Sequence, residues 1–331
     1  VEYRKLGSSE LNVSTIAFGA WQIGDAAYWQ SDTKSDQERT VFAALDAGIN
    51  LIDTAEMYGA GESERVLGQT LGARRENVLI ASKVLPENCA PEKLRAACEA
   101  SLQRLRTDRI DLYQIHWPFR DVPFEAAYGE LARLKEEGKI REIGVSNFGV
   151  RDLAAWFDAG GCVSDQLAYN FAFRAIEDEV VPACLSRGVG VLAYSPLMQG
   201  ILSCRWKTVE EIPQLRRRTR HFAADRPGVM HDGPGHEPLL MKLLKELESA
   251  AREAGQPPAT LALAWLITQR GVTSVIVGAR NVAQLQRNLD AAELKMDDAL
   301  MQRLDGISAP LKNAMGTNAD MWRAGEDGRI R

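Results

Sequence analysis

A chain of 331 residues, 45% hydrophobic and 26% charged, has ordinary globular composition and length for one large domain or two small ones, each with a sizeable core. Its 45 acidic and 40 basic side chains give a net charge of −5, the opposite of a nucleic-acid footprint, and no apolar run approaches the roughly 18 to 20 residues that span a bilayer. The five cysteines, Cys89, Cys98, Cys162, Cys184 and Cys204, are odd in number and include no CxxC pair, which excludes a disulfide frame and a zinc site; with no charged-then-apolar leader, a reducing, cytoplasmic setting is expected.

Residues 1–14 alternate weakly about the turn signal Gly7-Ser8-Ser9-Glu10 and predict a β-hairpin outside the main pattern. From there, short apolar segments alternate with amphipathic helical ones. Strands are predicted over 15–18, 50–52, 78–82, 110–115, 140–145, 163–166, 189–193 and 274–277. Helices are predicted over 36–47, 62–71, 91–105, 123–136, 150–159, 177–187, 258–269 and 282–291. Pro91 and Pro258 stand near first-turn positions, and Gly48, Gly138 and Gly188 just past a last apolar position. Two segments exceed the alternation: a long insertion, 199–237, carrying Arg205, Arg216, Arg217, Arg218, Arg220 and Arg226, and a helical pattern over 238–254. Residues 297–306 predict an extra helix, and 311–331 a polar tail broken by Met315, Met321 and Trp322.

Eight near-continuous apolar strands, each followed by a helix, imply a parallel sheet covered by helices on its outside. A closed α/β barrel, the (β/α)8 or TIM barrel, fits this pattern as a single domain over 1–331, with an N-terminal β-hairpin, a long insertion after strand 7 and an extra C-terminal helix. A doubly wound sheet also alternates strand and helix, but its first strand normally ends in a phosphate-binding glycine turn. Here that strand ends in Phe18-Gly19-Ala20-Trp21-Gln22. The G-x-G-x-x-A match at 188–193 leads into a strand instead of leaving one for a helix, so it reads as a helix stop and a strand start.

In such a barrel the C-terminal strand ends share one opening. Those positions are Trp21, Asp53, Lys83, His116, Ser146-Asn147, Gln166, Tyr194-Ser195 and Gly278-Ala279-Arg280. Lys83 should emerge beside Asp53, one strand away, and that pairing keeps its charge in a buried setting. A retained ammonium near Tyr58 favours the phenolate, so the Tyr58 pKa is expected below the ordinary value of about 10. Asp53 is then the anchor, Tyr58 a general acid and His116 a donor aimed at a substrate oxygen. No metal is expected, because His221, His231 and His236 all lie in the insertion without metal-ligand spacing. No G-x-S-x-G elbow is present for a serine hydrolase.

Five ordered motifs carry a resemblance: 48–55 leading to Tyr58-Gly59; Ser82-Lys83; Ile115-His116-Trp117-Pro118; Gly144-Val145-Ser146-Asn147-Phe148; and Ala193-Tyr194-Ser195-Pro196-Leu197. Over nearly its whole length the chain resembles the aldo-keto reductases, (β/α)8 enzymes that reduce carbonyls with NADPH, and in particular the branch that includes bacterial reductases and the potassium-channel β-subunits. The resemblance implies a catalytic tetrad of Asp53, Tyr58, Lys83 and His116, with Tyr58 protonating the carbonyl oxygen as hydride arrives from the nicotinamide. It implies that Ser146, Asn147 and Gln166 hold the carboxamide and that Tyr194 stacks on the nicotinamide ring. Ser195, Pro196, Leu197, Gly200 and Leu202 would border the pyrophosphate under the insertion, with Ala20, Trp21 and Asp53 also against the cofactor. After the eighth strand, Gly278 and Arg280 open a helix in which Arg280 would grip the 2′-phosphate, and Gln284 and Asn288 reach the adenosine end.

The best-known members carry Lys-Ser where this chain has Gly278-Ala279, and Arg where it has Gln284. With Arg280 retained, NADP(H) is favoured and NAD(H) is the alternative. Trp21, Tyr58, His116 and Trp117, with Trp29 and Trp322, would line a pocket for a small-molecule carbonyl or sugar. Trp322 has the competing reading of plain tail packing. Reduction of aldehydes or ketones is the leading function. A cofactor-sensing regulatory subunit of the channel type is the alternative, weighed down by Tyr3 lying so near the start of the sequence. A lyase or isomerase forming a Schiff base at Lys83 is the third. No nucleic-acid or membrane partner is expected.

Overall fold

In the computed structural model, which describes residues 1–24, 29, 34–324 and 328–331, the predicted alternation closes into a barrel. Strands β1 (Tyr3–Lys5) and β2 (Asn12–Ser14) form the expected antiparallel hairpin, with Tyr3 opposite Ser14. Strands β3 (Ile16–Gly19), β4 (Leu51–Asp53), β5 (Leu79–Val84), β6 (Ile110–Ile115), β7 (Ile140–Ser146), β8 (Ser164–Ala168), β9 (Gly190–Tyr194) and β10 (Val272–Val277) are all parallel to their neighbours. The ring closes where Val275 pairs Ile16 and Val277 pairs Phe18. No helix among the described residues is long and apolar enough to cross a membrane.

Around the strands run α1 (Trp21–Gly24), α2 (Lys34–Asp46), α3 (Glu62–Leu71), α4 (Pro91–Leu105), α5 (Phe124–Glu136), α6 (Val150–Ala159), α7 (Val180–Ser186), α8 (Glu237–Glu253), α9 (Pro258–Ile267), α10 (Val282–Glu293) and α11 (Asp298–Met315). Strand alternation sorts the side chains. Ile16, Phe18, Ile52, Ile80, Tyr113 and Val145 join the helices in one continuous core that includes the buried Trp156 and Trp265. Ala17, Leu51, Ala81, Leu112, Leu192 and Ile276 instead cluster with Leu6, Leu11 and Val13 of the hairpin. The hairpin is therefore a plug for the N-terminal end of the barrel, and each fully buried aliphatic side chain in it contributes about 1.5–3 kcal/mol. On β6, the buried carboxylate of Asp111 accepts from the Arg75 (2.9 Å) and Arg141 (3.0 Å) guanidiniums and from the Ile80 backbone N–H (3.0 Å), tying adjacent strands together.

One expectation is corrected in detail. The extra C-terminal helix does not stop near residue 306 but runs to Met315, through Pro310, so Met315 belongs to α11 and not to the tail. Leu304, Ser308, Leu311 and Met315 recur at helical spacing on its buried face, and burying that stripe outweighs the hydrogen bond the proline removes. Between β9 and α8 the long insertion holds only two short 3-10 segments, Met198–Ser203 and Gln214–Arg216.

The plug makes one strong demand on sequence. Gly7 has φ +53°, and a Cβ there would lie 2.1 Å from the Val163 carbonyl oxygen. Gly7→Ala is expected to lower stability by about 1–3 kcal/mol, from left-handed backbone and the forced shift of the plug. Urea unfolding measures this, and an unchanged midpoint would contradict the plug geometry.

Candidate active site

The site starts from a buried cation. Lys83 lies near the C-terminal end of β5 with no solvent exposure, and an ammonium has three N–H donors to satisfy. Its Nζ donates to Asp53 Oδ2 (2.8 Å), to the Thr54 carbonyl (2.8 Å) and to Tyr58 Oη (3.2 Å). Burial alone would lower the Lys83 pKa, but Asp53 and Tyr58 outweigh it and the pKa rises. The other oxygen of Asp53 accepts Gln166 Nε2 (2.7 Å), which reaches across the barrel from β8. Tyr58 follows β4 in a turn that requires glycine at its next position: Gly59 has φ +60°, and a Cβ there would lie 1.9 Å from the Gly24 carbonyl oxygen.

The pKa expected for Tyr58 is overturned. Burial raises it, Lys83 pulls it back, Asp53 adds to the rise, and the phenol ends above its ordinary value. Desolvation thus exceeds the ammonium's pull, and Tyr58 is held protonated at neutral pH. His116, buried at the end of β6, meets the Tyr58 ring edge-on with centroids 6.1 Å apart. Burial, then Lys83, then Arg329 push its pKa well below the usual value, so the imidazole is neutral. Its Nδ1 is buried without a hydrogen-bond partner among the described residues. A protonated phenol and a neutral imidazole thus face one space, with the ammonium behind them against the phenol oxygen, an arrangement suited to protonating and hydrogen-bonding an oxygen atom.

Beside them runs a polar chain at the ends of β7, β8 and β9. Ser146 Oγ donates to the Gln166 carbonyl (2.8 Å), and Asn147 Nδ2 donates to the His116 carbonyl and to Ser146 Oγ, both at 3.0 Å. Tyr194 Oη donates to Asn147 Oδ1 (2.8 Å), which fixes the plane of its ring. Asn147 (φ +63°) and Ser195 (φ +52°) adopt left-handed backbone, costly for residues with a Cβ and concentrated at functional sites.

These groups open onto a cleft of about 700 Å³. Of the residues predicted for the site, Trp21, Asp53, Tyr58, His116, Trp117, Ser146, Asn147, Gln166, Tyr194, Ser195, Pro196, Leu197, Gly200, Gly278, Arg280, Gln284 and Asn288 line it. Ala20 and Leu202 do not: both side chains are fully buried, Ala20 meeting its neighbours through its backbone, with its carbonyl accepting Ser63 Oγ at 2.9 Å. Lys83 also lies behind the wall, reaching the cleft through Tyr58. Trp29 lines it, edge-on to Trp21 at 5.1 Å.

The arginines of the insertion divide. Arg205, Arg216 and Arg218 reach the cleft. Arg226 pairs with Glu237, and Arg220 holds the tail through the carbonyls of Asp320 (2.7 Å) and Asn318 (2.7 Å). The tail in turn carries two cleft residues. Trp322 stacks parallel to Tyr194 at 6.0 Å and 10°, and meets Trp117 edge-on at 5.9 Å. Arg329 lies over Trp117. No local pattern in the sequence marks Arg329, whose place comes entirely from the fold of the tail.

The model of the aldo/keto reductase family matches residues 15–309. The methylglyoxal reductase YeaE of Escherichia coli (strain K12) is 33% identical over 305 residues, covering 90% of this chain and 92% of the relative. The NADH-specific methylglyoxal reductase of the same organism is 32% identical over 324 residues, covering 89% of this chain and 94% of the relative. Among solved structures, an aldo/keto reductase from Klebsiella pneumoniae in complex with NADP and acetate superimposes with a TM-score of 0.73 at 29% identity, covering 91% of this chain and 94% of that one.

The buried histidines give a direct check. Burial also takes His221 down to about 3, its ring nitrogens engaged by Thr219 and the Ala172 carbonyl. Native pKa values below the unfolded value of about 6.5 mean that the unfolded chain binds protons the native one refuses, so stability falls as pH drops through that value. Histidine NMR should show His116 and His221 silent between pH 5 and 8; titration of His116 near pH 6.5 would contradict a dry site.

Proposed function

The chain belongs to the aldo/keto reductase family, and from that premise we propose that it reduces aldehydes or ketones, sugar carbonyls included, to alcohols with NADPH, using Tyr58 as the general acid. The observation that carries this is the Lys83 ammonium, buried and bonded at once to Asp53 and to the phenol oxygen of Tyr58. As Tyr58 gives its proton to the carbonyl oxygen, negative charge develops on Oη, where Lys83 stabilises it in a low-dielectric setting. Asp53 keeps Lys83 charged and aimed. Neutral His116, with its proton on Nε2, donates to the same substrate oxygen without competing as an acid. When bound, the nicotinamide cofactor supplies the hydride to the carbonyl carbon.

The residues present suit such a cofactor. Gln166 retains Oε1 as an acceptor for a carboxamide once its Nε2 is held by Asp53. Both N–H of the Asn147 amide are engaged, orienting the His116 loop, while its Oδ1, which accepts from Tyr194, keeps one lone pair for a carboxamide N–H. At the far end of the cleft, burial and then Arg280 lower the Arg205 pKa. Two guanidiniums without a carboxylate partner among the described residues favour a bound anion between them, as a 2′-phosphate would be. Arg205 from the insertion thereby offsets the charge that Gly278-Ala279 and Gln284 omit, which supports NADPH over NADH. The names of the two Escherichia coli relatives make small oxoaldehydes the first substrates to assay. The Schiff-base alternative fares poorly, since Lys83 is held as an ammonium with all three N–H bonds used.

Tyr58→Phe should bind NADPH normally, by nucleotide fluorescence, while kcat for reduction falls about 100- to 10,000-fold; an unaltered kcat would remove Tyr58 as the acid. Arg280→Ala should weaken NADPH about tenfold or more and NADH little. Equal losses for both cofactors would take Arg280 away from the phosphate.

A further inference from the structure

The tail after α11 returns to the cleft and sets Arg329 in its wall beside His116 and Trp117. Its guanidinium carbon lies 3.4 Å from the centre of the Trp117 ring, a stacked placement that fixes the plane of the group. Nε donates to Asp320 Oδ2 (2.9 Å) and Nη2 to Asp320 Oδ1 (3.0 Å). Asp320 is fully buried and also accepts the backbone N–H groups of Trp322 (2.9 Å) and Arg323 (3.1 Å), while Arg220 clamps its carbonyl. It is a rigid mount for the guanidinium, and its own charge is felt together with that of Arg329 at Tyr194. At His116, Arg329 is one of the two cations that act.

A guanidinium has five N–H bonds, and Asp320 uses one from Nε and one from Nη2. The outer edge, formed by one N–H of Nη1 and the second of Nη2, has no hydrogen-bond partner among the described residues. The Arg329 side chain remains 27% exposed, at the cleft. That edge has the spacing of the two oxygens of a carboxylate. Trp117 and Trp322 line the same cleft next to it, giving an aromatic wall for whatever connects such a carboxylate to the reacting carbonyl.

We propose that Arg329 is a substrate-specificity residue: its free edge binds a carboxylate carried by the carbonyl substrate, so that carboxyl-bearing aldehydes and oxo-acids are preferred over neutral carbonyls of the same shape. This rests on the carbonyl-reductase reading above. A fixed, partly desolvated charge-assisted pair gives a preference of about 10- to 100-fold.

The test uses matched pairs: 4-carboxybenzaldehyde and ω-carboxyaldehydes of two to five carbons, each against its methyl ester, assayed with NADPH at low and high ionic strength. Wild-type enzyme should show an acid-to-ester ratio of kcat/KM of about 10 or more for at least one spacing, carried mainly by KM and reduced by salt. Arg329→Met should bring that ratio to about one, and Arg329→Lys should restore part of it. A wild-type ratio at or below one for every pair overturns the proposal without any variant. So does an Arg329→Met enzyme that loses acid and ester reduction alike, since that is the behaviour of a residue that only packs the tail. If neither member of any pair is reduced, the reductase reading fails and takes the proposal with it. If the esters are reduced as well as the acids, the reading stands and the proposal alone falls.

Discussion

The structure of the site depends on one requirement, that the Lys83 ammonium be satisfied without water. Three N–H bonds need three acceptors, and Asp53, the Thr54 carbonyl and Tyr58 supply them. The register of β4 and β5 sets this up: Asp53 pairs Ala81, so Lys83 stands two residues higher and reaches back over the strand end. A buried ion pair adds little net stability, because desolvating both partners costs about as much as their attraction returns. What it fixes is position. An ammonium that cannot move, against a phenol oxygen, favours charge that appears on that oxygen and nowhere else.

The dryness that makes Lys83 effective also sets its neighbours. Burial holds the Tyr58 phenol protonated and the His116 imidazole neutral, so one has a proton to give and the other can donate without giving it up. Segments outside the barrel complete the walls of the cleft: the insertion brings Arg205, Arg216 and Arg218 to it, and the tail brings Trp322 and Arg329. Arg220 links the two, anchoring the tail from within the insertion.

The sequence reveals what local rules govern. Apolar periodicity places the eight strands and their helices with most ends within two residues, because burial on two faces leaves little freedom in composition. Strand ends then assemble Asp53, Lys83, His116 and Gln166 without any contact being known, since barrel topology alone brings them together. Quantities that depend on packing are not readable in this way. The Tyr58 pKa moves opposite to expectation because desolvation is invisible in a sequence, whereas a neighbouring charge is not. Helix α11 outlasts its proline because Leu311 and Met315 are buried by the fold. Arg329, far along an irregular tail and mounted on Asp320, has no periodicity to betray it.

The coupling between Lys83 and Tyr58 is open to one direct measurement, the pH dependence of kcat for carbonyl reduction in wild type and in Lys83→Met. Reduction needs Tyr58 protonated, so its rate falls on the alkaline side as the phenol ionises. Removing the ammonium takes away what favours the phenolate. The alkaline limb should then move to higher pH while the plateau rate drops, because a weaker acid transfers its proton less readily. An alkaline limb at the same pH in both enzymes would contradict a phenol tuned by Lys83.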